Sequence, residues 1–126
     1  MSRASALREQ RRYRRLTVRL DVSWRVENDG RVDAALATTL GAGGLFIATE
    51  SPLAPGTQLR VRLRLPRGHG DHELAGRVVW ANAPSTPGVP PSGCGMGISF
   101  TDRNAQARLA LDLERYAATE PTGQSH

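Results

Sequence analysis

Apolar and polar residues alternate along several short stretches of this chain. The clearest stretch begins near residue 16, and its apolar positions are Val18, Leu20, Val22, Trp24 and Val26. A second stretch alternates apolar residues with three arginines over residues 59–65. A period of two predicts strands with one buried face and one solvated face, so the second strand should have a basic outer face.

Turn signals divide the rest of the chain into similar short elements. Asn28-Asp29-Gly30 ends the first strand, and residues 81–95, rich in Pro, Gly and Ser, predict a long exposed loop. The strands predicted after the first cover residues 32–40, 45–47, 59–65, 74–80 and 96–100. Thr101-Asp102 offers an N-cap for a helix over residues 103–117, with Leu109 and Leu113 on one face.

These elements predict a mainly β fold, a six-stranded antiparallel barrel with a C-terminal α-helix. Closure of the barrel removes exposed strand edges. A length of 126 residues fits one domain. No apolar segment approaches the roughly 20 residues that span a bilayer, and no secretory signal is visible. Cys94 is the only cysteine, which excludes an internal disulfide, so we expect a buried thiol and a cytoplasmic protein.

The charge is concentrated at the N-terminus. All 17 basic residues are arginines, the formal net charge is +5, and the first 19 residues hold seven arginines against one acid, Glu9. Guanidinium groups grip phosphate and stack on bases, so this arm suits a phosphorylated ligand. A solvated basic tail is the structural alternative.

No set of residues predicts catalysis or a bound metal. His69, Asp71 and His72 share a Gly-rich turn that we expect to be a solvated loop. Asp112 and Glu114 should lie on the outer face of the helix. We therefore expect no enzyme, no metal and no cofactor. A general nucleic-acid binder is a further alternative, but aromatic residues are few and mostly on predicted core faces, so we expect no specific binding to DNA or RNA.

Two local patterns remain. Arg11 and Arg15 are four residues apart, immediately before the first strand, and the stretch from Thr39 to Gly44 is a glycine-rich bend before an apolar strand. No Lys-Ser/Thr follows the glycines, which excludes a P-loop. The glycines Gly41 and Gly44 should instead permit a positive φ or a tight barrel bend.

Together these patterns resemble the PilZ domain family over roughly residues 8–117. Arg11 and Arg15 match the family's Arg-x-x-x-Arg pattern. In the family's Asp/Asn-x-Ser-x-x-Gly pattern, Thr39 takes the Asp/Asn position, Gly41 the Ser position and Gly44 the final Gly. The stretches Arg77-Val78-Val79-Trp80 and Gly95–Phe100 resemble the family's later strands.

The resemblance implies cyclic di-GMP as the ligand. Arg11 and Arg15 would contact its phosphates and guanine edges, with Arg12 and Arg14 as additional phosphate contacts. On the barrel, Thr39 keeps a hydroxyl, whereas Gly41 offers no side-chain hydrogen bond. Each lost bond costs about 0.5–1.5 kcal/mol, so two losses would weaken binding about tenfold to a hundredfold.

The resemblance also implies an organisation and a role. Residues 1–15 would be a flexible Arg-rich arm, residues 16–117 the barrel and helix, and residues 118–126 a disordered tail. The protein would relay the cyclic di-GMP level to an unidentified protein partner in motility, pilus or exopolysaccharide control, without membrane insertion. The alternative is a degenerate PilZ adaptor that acts by protein–protein interaction without nucleotide.

The arm should be mobile without ligand and ordered with it, because no apolar period before Leu16 ties it down. We expect slower amide exchange, or higher NMR order parameters, over residues 5–15 when cyclic di-GMP is added. Unchanged mobility at a saturating ligand concentration would contradict an arm that orders on binding.

Overall fold

The computed structural model describes residues 15–83 and 93–119. The predicted contacts Arg11, Arg12 and Arg14 therefore lie outside the described residues, as do most of the predicted loop over 81–95 and nearly all of the predicted C-terminal tail.

The fold is a closed antiparallel barrel of six strands with one C-terminal helix, as predicted. The strands are β1 (Arg15–Val26), β2 (Val32–Gly41), β3 (Gly44–Ala48), β4 (Gln58–Leu65), β5 (Gly70–Asn82) and β6 (Gly95–Phe100), and the helix is α1 (Arg103–Thr119). A 3-10 turn, Pro66–Gly68, joins β4 to β5. Around the barrel the order is β1-β2-β3-β6-β5-β4, with β4 paired to β1 to close it.

The alternating pattern in β4 folds as the sequence predicts. Leu59, Val61, Leu63 and Leu65 are all buried in the barrel core. The intervening arginines face solvent, where acids of β5 partner them. Arg64 donates to the Asp71 carboxylate at 2.8 Å, and Glu73 lies 3.7 Å from Arg60. This outer face therefore carries acids beside its arginines and is not purely basic.

Three irregularities in strand pairing shape the barrel. The register shifts between Thr17 and Leu20 in the β1–β2 pair, between Ala37 and Thr39 in the β2–β3 pair, and between Val78 and Trp80 in the β5–β6 pair. An extra residue in one strand reverses the inward and outward alternation beyond it. Trp80 consequently faces outward, although Leu74, Gly76 and Val78 of the same strand face the core.

The helix begins and packs as predicted. The Asp102 carboxylate accepts a hydrogen bond from the Ala105 backbone N–H at 3.1 Å, which is the geometry of an N-cap. Leu109 and Leu113 are buried in the core cluster of the barrel. Tyr116 is half-buried and meets the His69 ring edge-on, with ring centroids 5.7 Å apart.

The structure corrects two sequence expectations where α1 meets β5. His72 is part of β5 rather than a solvated loop, and Asp112 faces the barrel rather than solvent. Their Nε2 and Oδ2 atoms are 2.8 Å apart, and the His72 side chain is only 8% exposed. At Gly70 a Cβ would overlap the Asp112 carboxylate. The hydrophobic pattern gave no sign of this polar contact between residues 40 positions apart.

Replacing Asp112 should destabilise the protein. The Asp112→Ala change leaves a nearly buried His72 ring nitrogen without its partner, and we expect the free energy of unfolding to fall by about 1–3 kcal/mol. Chemical denaturation measures this loss, with Arg108→Ala as the control, because Arg108 is exposed on the same helix. Equal stability of the two variants would show that the contact does not hold the helix.

Candidate functional site

The arm and the glycine-rich bend meet at the start of β1. Arg15 is the first residue of β1, and its pairing partner across the sheet is Gly41, the last residue of β2. Thr17 pairs with Thr39 in the same register. Arg15 and Thr17 are exposed and Thr39 is half-buried. The structure thus brings the end of the predicted arm beside the predicted second motif.

The bend itself is fixed by its neighbours. Gly41 pairs with Gly44 across a two-residue turn. The Ala42 carbonyl accepts a hydrogen bond from the Gln106 side chain of α1 at 3.1 Å, and the Gly43 carbonyl accepts one from the Phe100 backbone N–H at 2.9 Å. Helix and barrel together therefore hold the bend in one place.

The two motif glycines have different roles. At Gly44 a Cβ would overlap the Ile98 carbonyl oxygen, so β3 can approach β6 only because this residue has no side chain. The tight bend predicted for Gly44 is confirmed. Gly41 is buried within β2, and it is not among the described residues with positive φ.

The chemistry available at this surface is a cation beside hydroxyl groups. The exposed Arg15 forms no ion pair within the part of the chain that the structure describes. Thr17 and Thr39 each offer a hydroxyl that can donate and accept hydrogen bonds. Gly41 contributes no side-chain group. The barrel half of the site can therefore bind an anion or a polar ring edge, but it has no carboxylate or amide at Thr39.

Beside Thr39 lies a pair of stacked aromatic rings that the sequence analysis did not predict. Thr39 pairs with Phe46 of β3, whose ring stacks on Trp80 with centroids 5.2 Å apart and planes 18° from parallel. We call Phe46 and Trp80 the aromatic platform. The sequence analysis placed most aromatic residues on core faces. Trp24 and Phe100 are buried in the core as predicted, but Trp80 is 45% exposed.

Two glycines of β6 make room for the platform. A Cβ at Gly95 would overlap the Phe46 ring, and a Cβ at Gly97 would overlap the Trp80 indole. Both glycines alternate with Met96 and Ile98, which are buried in the core. Glycines at two successive outward positions of a short strand are the sequence signal that could have revealed rings lying across it.

A concave surface lies on the outer face of β1, β4 and β5. Ser23, Arg62 and Glu73 are among the residues that line it. Its arginines face acids of β5, since Arg62 lies 3.8 Å from Glu73 and Arg64 lies 2.8 Å from Asp71. A groove whose cations already have carboxylate partners is a poorer site for a phosphate than the surface around Arg15.

The described residues show little sign of other chemistry. Residues 15–83 and 93–119 contain no cluster of three or more His, Cys, Asp or Glu side chains that could hold a metal. Cys94 is buried, as predicted. No helix in these ranges is long and apolar enough to cross a membrane.

Three solved structures share this fold. The PilZ domain of Escherichia coli YcgR, solved with c-di-GMP, is 16% identical with a TM-score of 0.57, and the match covers 90% of this chain and 98% of that chain. The PilZ domain of CeSA from a cellulose-synthesizing bacterium is 19% identical with a TM-score of 0.57, over 80% of this chain and 98% of that one.

The third is the Bacillus subtilis inhibitor of motility, MotI/DgrA. It is 22% identical with a TM-score of 0.58, and the match covers 86% of this chain and 52% of that chain. This chain therefore spans about half the length of that protein. At such identities the three likenesses establish the fold.

The family assignment comes from the sequence. No individual curated protein matches the chain significantly. The family model described as PilZ domain matches residues 9–118, which include the Arg pair, the glycine-rich bend, all six strands and nearly all of the helix. The chain belongs to the PilZ domain family.

Proposed function

We propose that this PilZ domain is a cyclic di-GMP receptor that relays the level of the second messenger to a protein partner. The observation that carries the proposal is the pairing of Arg15 with Gly41, which joins the arm to the barrel motif. The YcgR PilZ domain, which shares the fold, was solved with c-di-GMP. The role is non-enzymatic and cytoplasmic, and the partner belongs to motility, pilus or exopolysaccharide control.

The ligand would be held between the arm and the barrel. Arg11 and Arg15 would grip phosphates, or donate two hydrogen bonds to O6 and N7 of a guanine, with Arg12 and Arg14 adding phosphate contacts. Thr39 would offer its hydroxyl from the barrel, and Gly41 and Gly44 would keep the bend open to the ligand. Ordering the arm against the barrel would create the surface that the partner recognises.

Calorimetric titration of the purified protein with cyclic di-GMP tests this proposal. Saturable binding in the micromolar range or tighter supports a receptor. Absence of heat, together with absence of a shift in melting temperature at millimolar ligand, would overturn it.

The second motif also favours another function. Thr39 lacks the carboxylate or amide of the family pattern, and Gly41 lacks the hydroxyl. A degenerate adaptor that binds its protein partner without nucleotide would retain the fold and need neither group. A folded protein that captures its partner equally well with and without cyclic di-GMP would establish this second function.

Removing the arm arginines should abolish binding selectively. We expect Arg15→Ala to remove most of the affinity for cyclic di-GMP and Arg11→Ala to weaken it strongly, since each loses a charge-assisted contact with a phosphate or a guanine. Arg60→Ala is the matched control, because Arg60 faces Glu73 on the outer surface of β4. Calorimetry on the three variants gives the comparison.

Equal losses at the three positions would contradict a specific site. They would indicate diffuse electrostatic binding, in which affinity also falls steeply with salt for DNA and RNA alike.

Restoring the family pattern should raise the affinity. The double change Thr39→Asp with Gly41→Ser supplies two hydrogen-bonding side chains, and we expect about tenfold or tighter binding of cyclic di-GMP. The paired strand conformation of Gly41, without a positive φ, favours acceptance of Ser.

Thermal unfolding of the double variant is the control, because Gly41 is buried and the added side chain needs room. A variant as stable as the wild type, but with no gain in affinity, would show that the arm does not reach the barrel. That result would favour the adaptor that acts without nucleotide.

A further inference from the structure

We propose that the start of β2 is a strand-addition site for an extended, basic segment of the protein partner. The segment would pair with residues 32–35 and lengthen the sheet by one short strand. This inference rests on the proposed function for the existence of a protein partner, and it requires no bound nucleotide. Val32 and Gly41 are the two ends of β2, so the site lies about 30 Å from the glycine-rich bend.

The first argument is that this part of β2 has an open edge. The pairing of β2 with β1 extends back to Val32, whereas its pairing with β3 begins only at Leu36. Residues 32–35 therefore have no described strand on the side away from β1. Closure of the barrel covers the later part of β2, but Val32, Asp33 and Ala34 are exposed.

The second argument is the direction of the backbone groups. The Arg31 carbonyl accepts a hydrogen bond from the Val26 N–H of β1 at 2.8 Å, so this carbonyl faces β1. Backbone groups alternate in direction along a strand, and those of Val32 and Ala34 consequently face the open side. In agreement, the Ala34 N–H donates at 2.8 Å to the Asp33 carboxylate and not to a strand carbonyl. An arriving strand would meet the N–H and carbonyl groups of both residues.

The third argument is the chemistry of the side chains at this edge. Residues 27–35 hold three acids and one arginine, namely Glu27, Asp29, Asp33 and Arg31. The whole chain, in contrast, has a formal net charge of +5. Asp33 forms no ion pair among the described residues, and the neighbouring Val32 is 60% exposed. A strand with a basic residue opposite Asp33 and an apolar residue opposite Val32 would match both.

Asp33 also argues against a second copy of this chain as the occupant. Antiparallel two-fold pairing of two open edges sets Val32 opposite Ala34 only when Asp33 lies opposite its counterpart in the second copy. Like charges directly opposite each other destabilise paired strands. A charged side chain at an open edge is a known protection against self-association. The edge is thus protected from its own copies and available to a strand that brings a positive charge.

A designed peptide tests the site on the full chain without cyclic di-GMP. The probe is a capped hexapeptide of alternating valine and arginine, and the reference peptide has glutamate in place of arginine. We expect the basic peptide to bind with a dissociation constant below about 1 mM and to slow amide exchange at Val32 and Ala34. The acidic peptide should bind about tenfold more weakly or less. NMR titration measures both the affinity and the amides that respond.

Methylated peptides separate strand addition from simple charge attraction. In antiparallel addition the valines lie opposite Val32 and Ala34, so the valine N–H groups point at β2 and the arginine N–H groups point away. N-methylation of the valines should weaken binding about tenfold, because it removes these donors and keeps the charge. N-methylation of the arginines is the matched control and should change the affinity by less than about threefold.

Proline substitutions test the same geometry from the side of the protein. Ala34→Pro removes an N–H that faces the open edge, so we expect peptide binding to fall about tenfold with little change in melting temperature. Ala35→Pro is the comparison, since the Ala35 N–H faces β1 and its loss should lower the melting temperature clearly.

Asp33→Asn tests the charge. The asparagine side chain keeps an acceptor for the Ala34 N–H, and we expect the basic peptide to bind about threefold to fivefold more weakly. Asp21→Asn is the control, because Asp21 is an exposed acid of β1 whose pairing partner on β2 is Leu36, beyond the open edge. It should leave the affinity unchanged.

Three results would overturn the strand-addition site. These are no binding at millimolar basic peptide, equal binding of the valine-methylated peptide, and amide changes that leave out Val32 and Ala34. None of them bears on the receptor function, which the titration with cyclic di-GMP decides separately.

Discussion

The close approach of β3 to β6 at Gly44 is the constraint on which the rest of the site depends. A side chain there would overlap the Ile98 carbonyl oxygen, so only glycine lets the two backbones pair in this register. A slip of one residue would turn Phe46 into the core and Leu45 out of it. Two further pairings continue from Gly44, since Gly41 of β2 lies opposite Gly44 and Arg15 of β1 lies opposite Gly41. The steric requirement at Gly44 and these two pairings together position the bend, the end of the arm and the platform.

Much of the fold could be predicted because its strands follow simple alternation. Residues 59–65 and 96–100 lie in β4 and β6 at nearly the predicted bounds, and the Asp102 cap and the helix also agree with the sequence. The alternation of apolar and polar residues could not reveal the irregularity at Val79. An extra residue in one strand is recognised only when its pairing with the neighbouring strand is known. The outward position of Trp80, and with it the platform, was missed for that reason.

Of the polar residues described here, those in local motifs could likewise be predicted from the sequence, and those in long-range contacts could not. The spacing of Arg11 and Arg15 and the glycines of the bend could be recognised locally, and the structure confirms that Arg15, Thr39, Gly41 and Gly44 lie together. The His72–Asp112 contact joins residues from distant parts of the chain, and no local pattern predicts it. Polar partners far apart in sequence are fixed by the packing of α1, which depends on the whole barrel.

The predicted arm and the barrel surface differ in how much conformational freedom a bound ligand would remove from each. The bend is already held by hydrogen bonds from Gln106 of α1 and from the Phe100 backbone, and Trp80 is already held against Phe46. Each residue of the predicted flexible arm that became fixed on binding would cost about 1–2 kcal/mol of backbone entropy, which would lower the affinity that its arginines can supply. A contact on the barrel carries almost none of that cost. A contact with the bend or with the Thr39 hydroxyl would therefore add more affinity to a bound ligand than an equal contact from the arm.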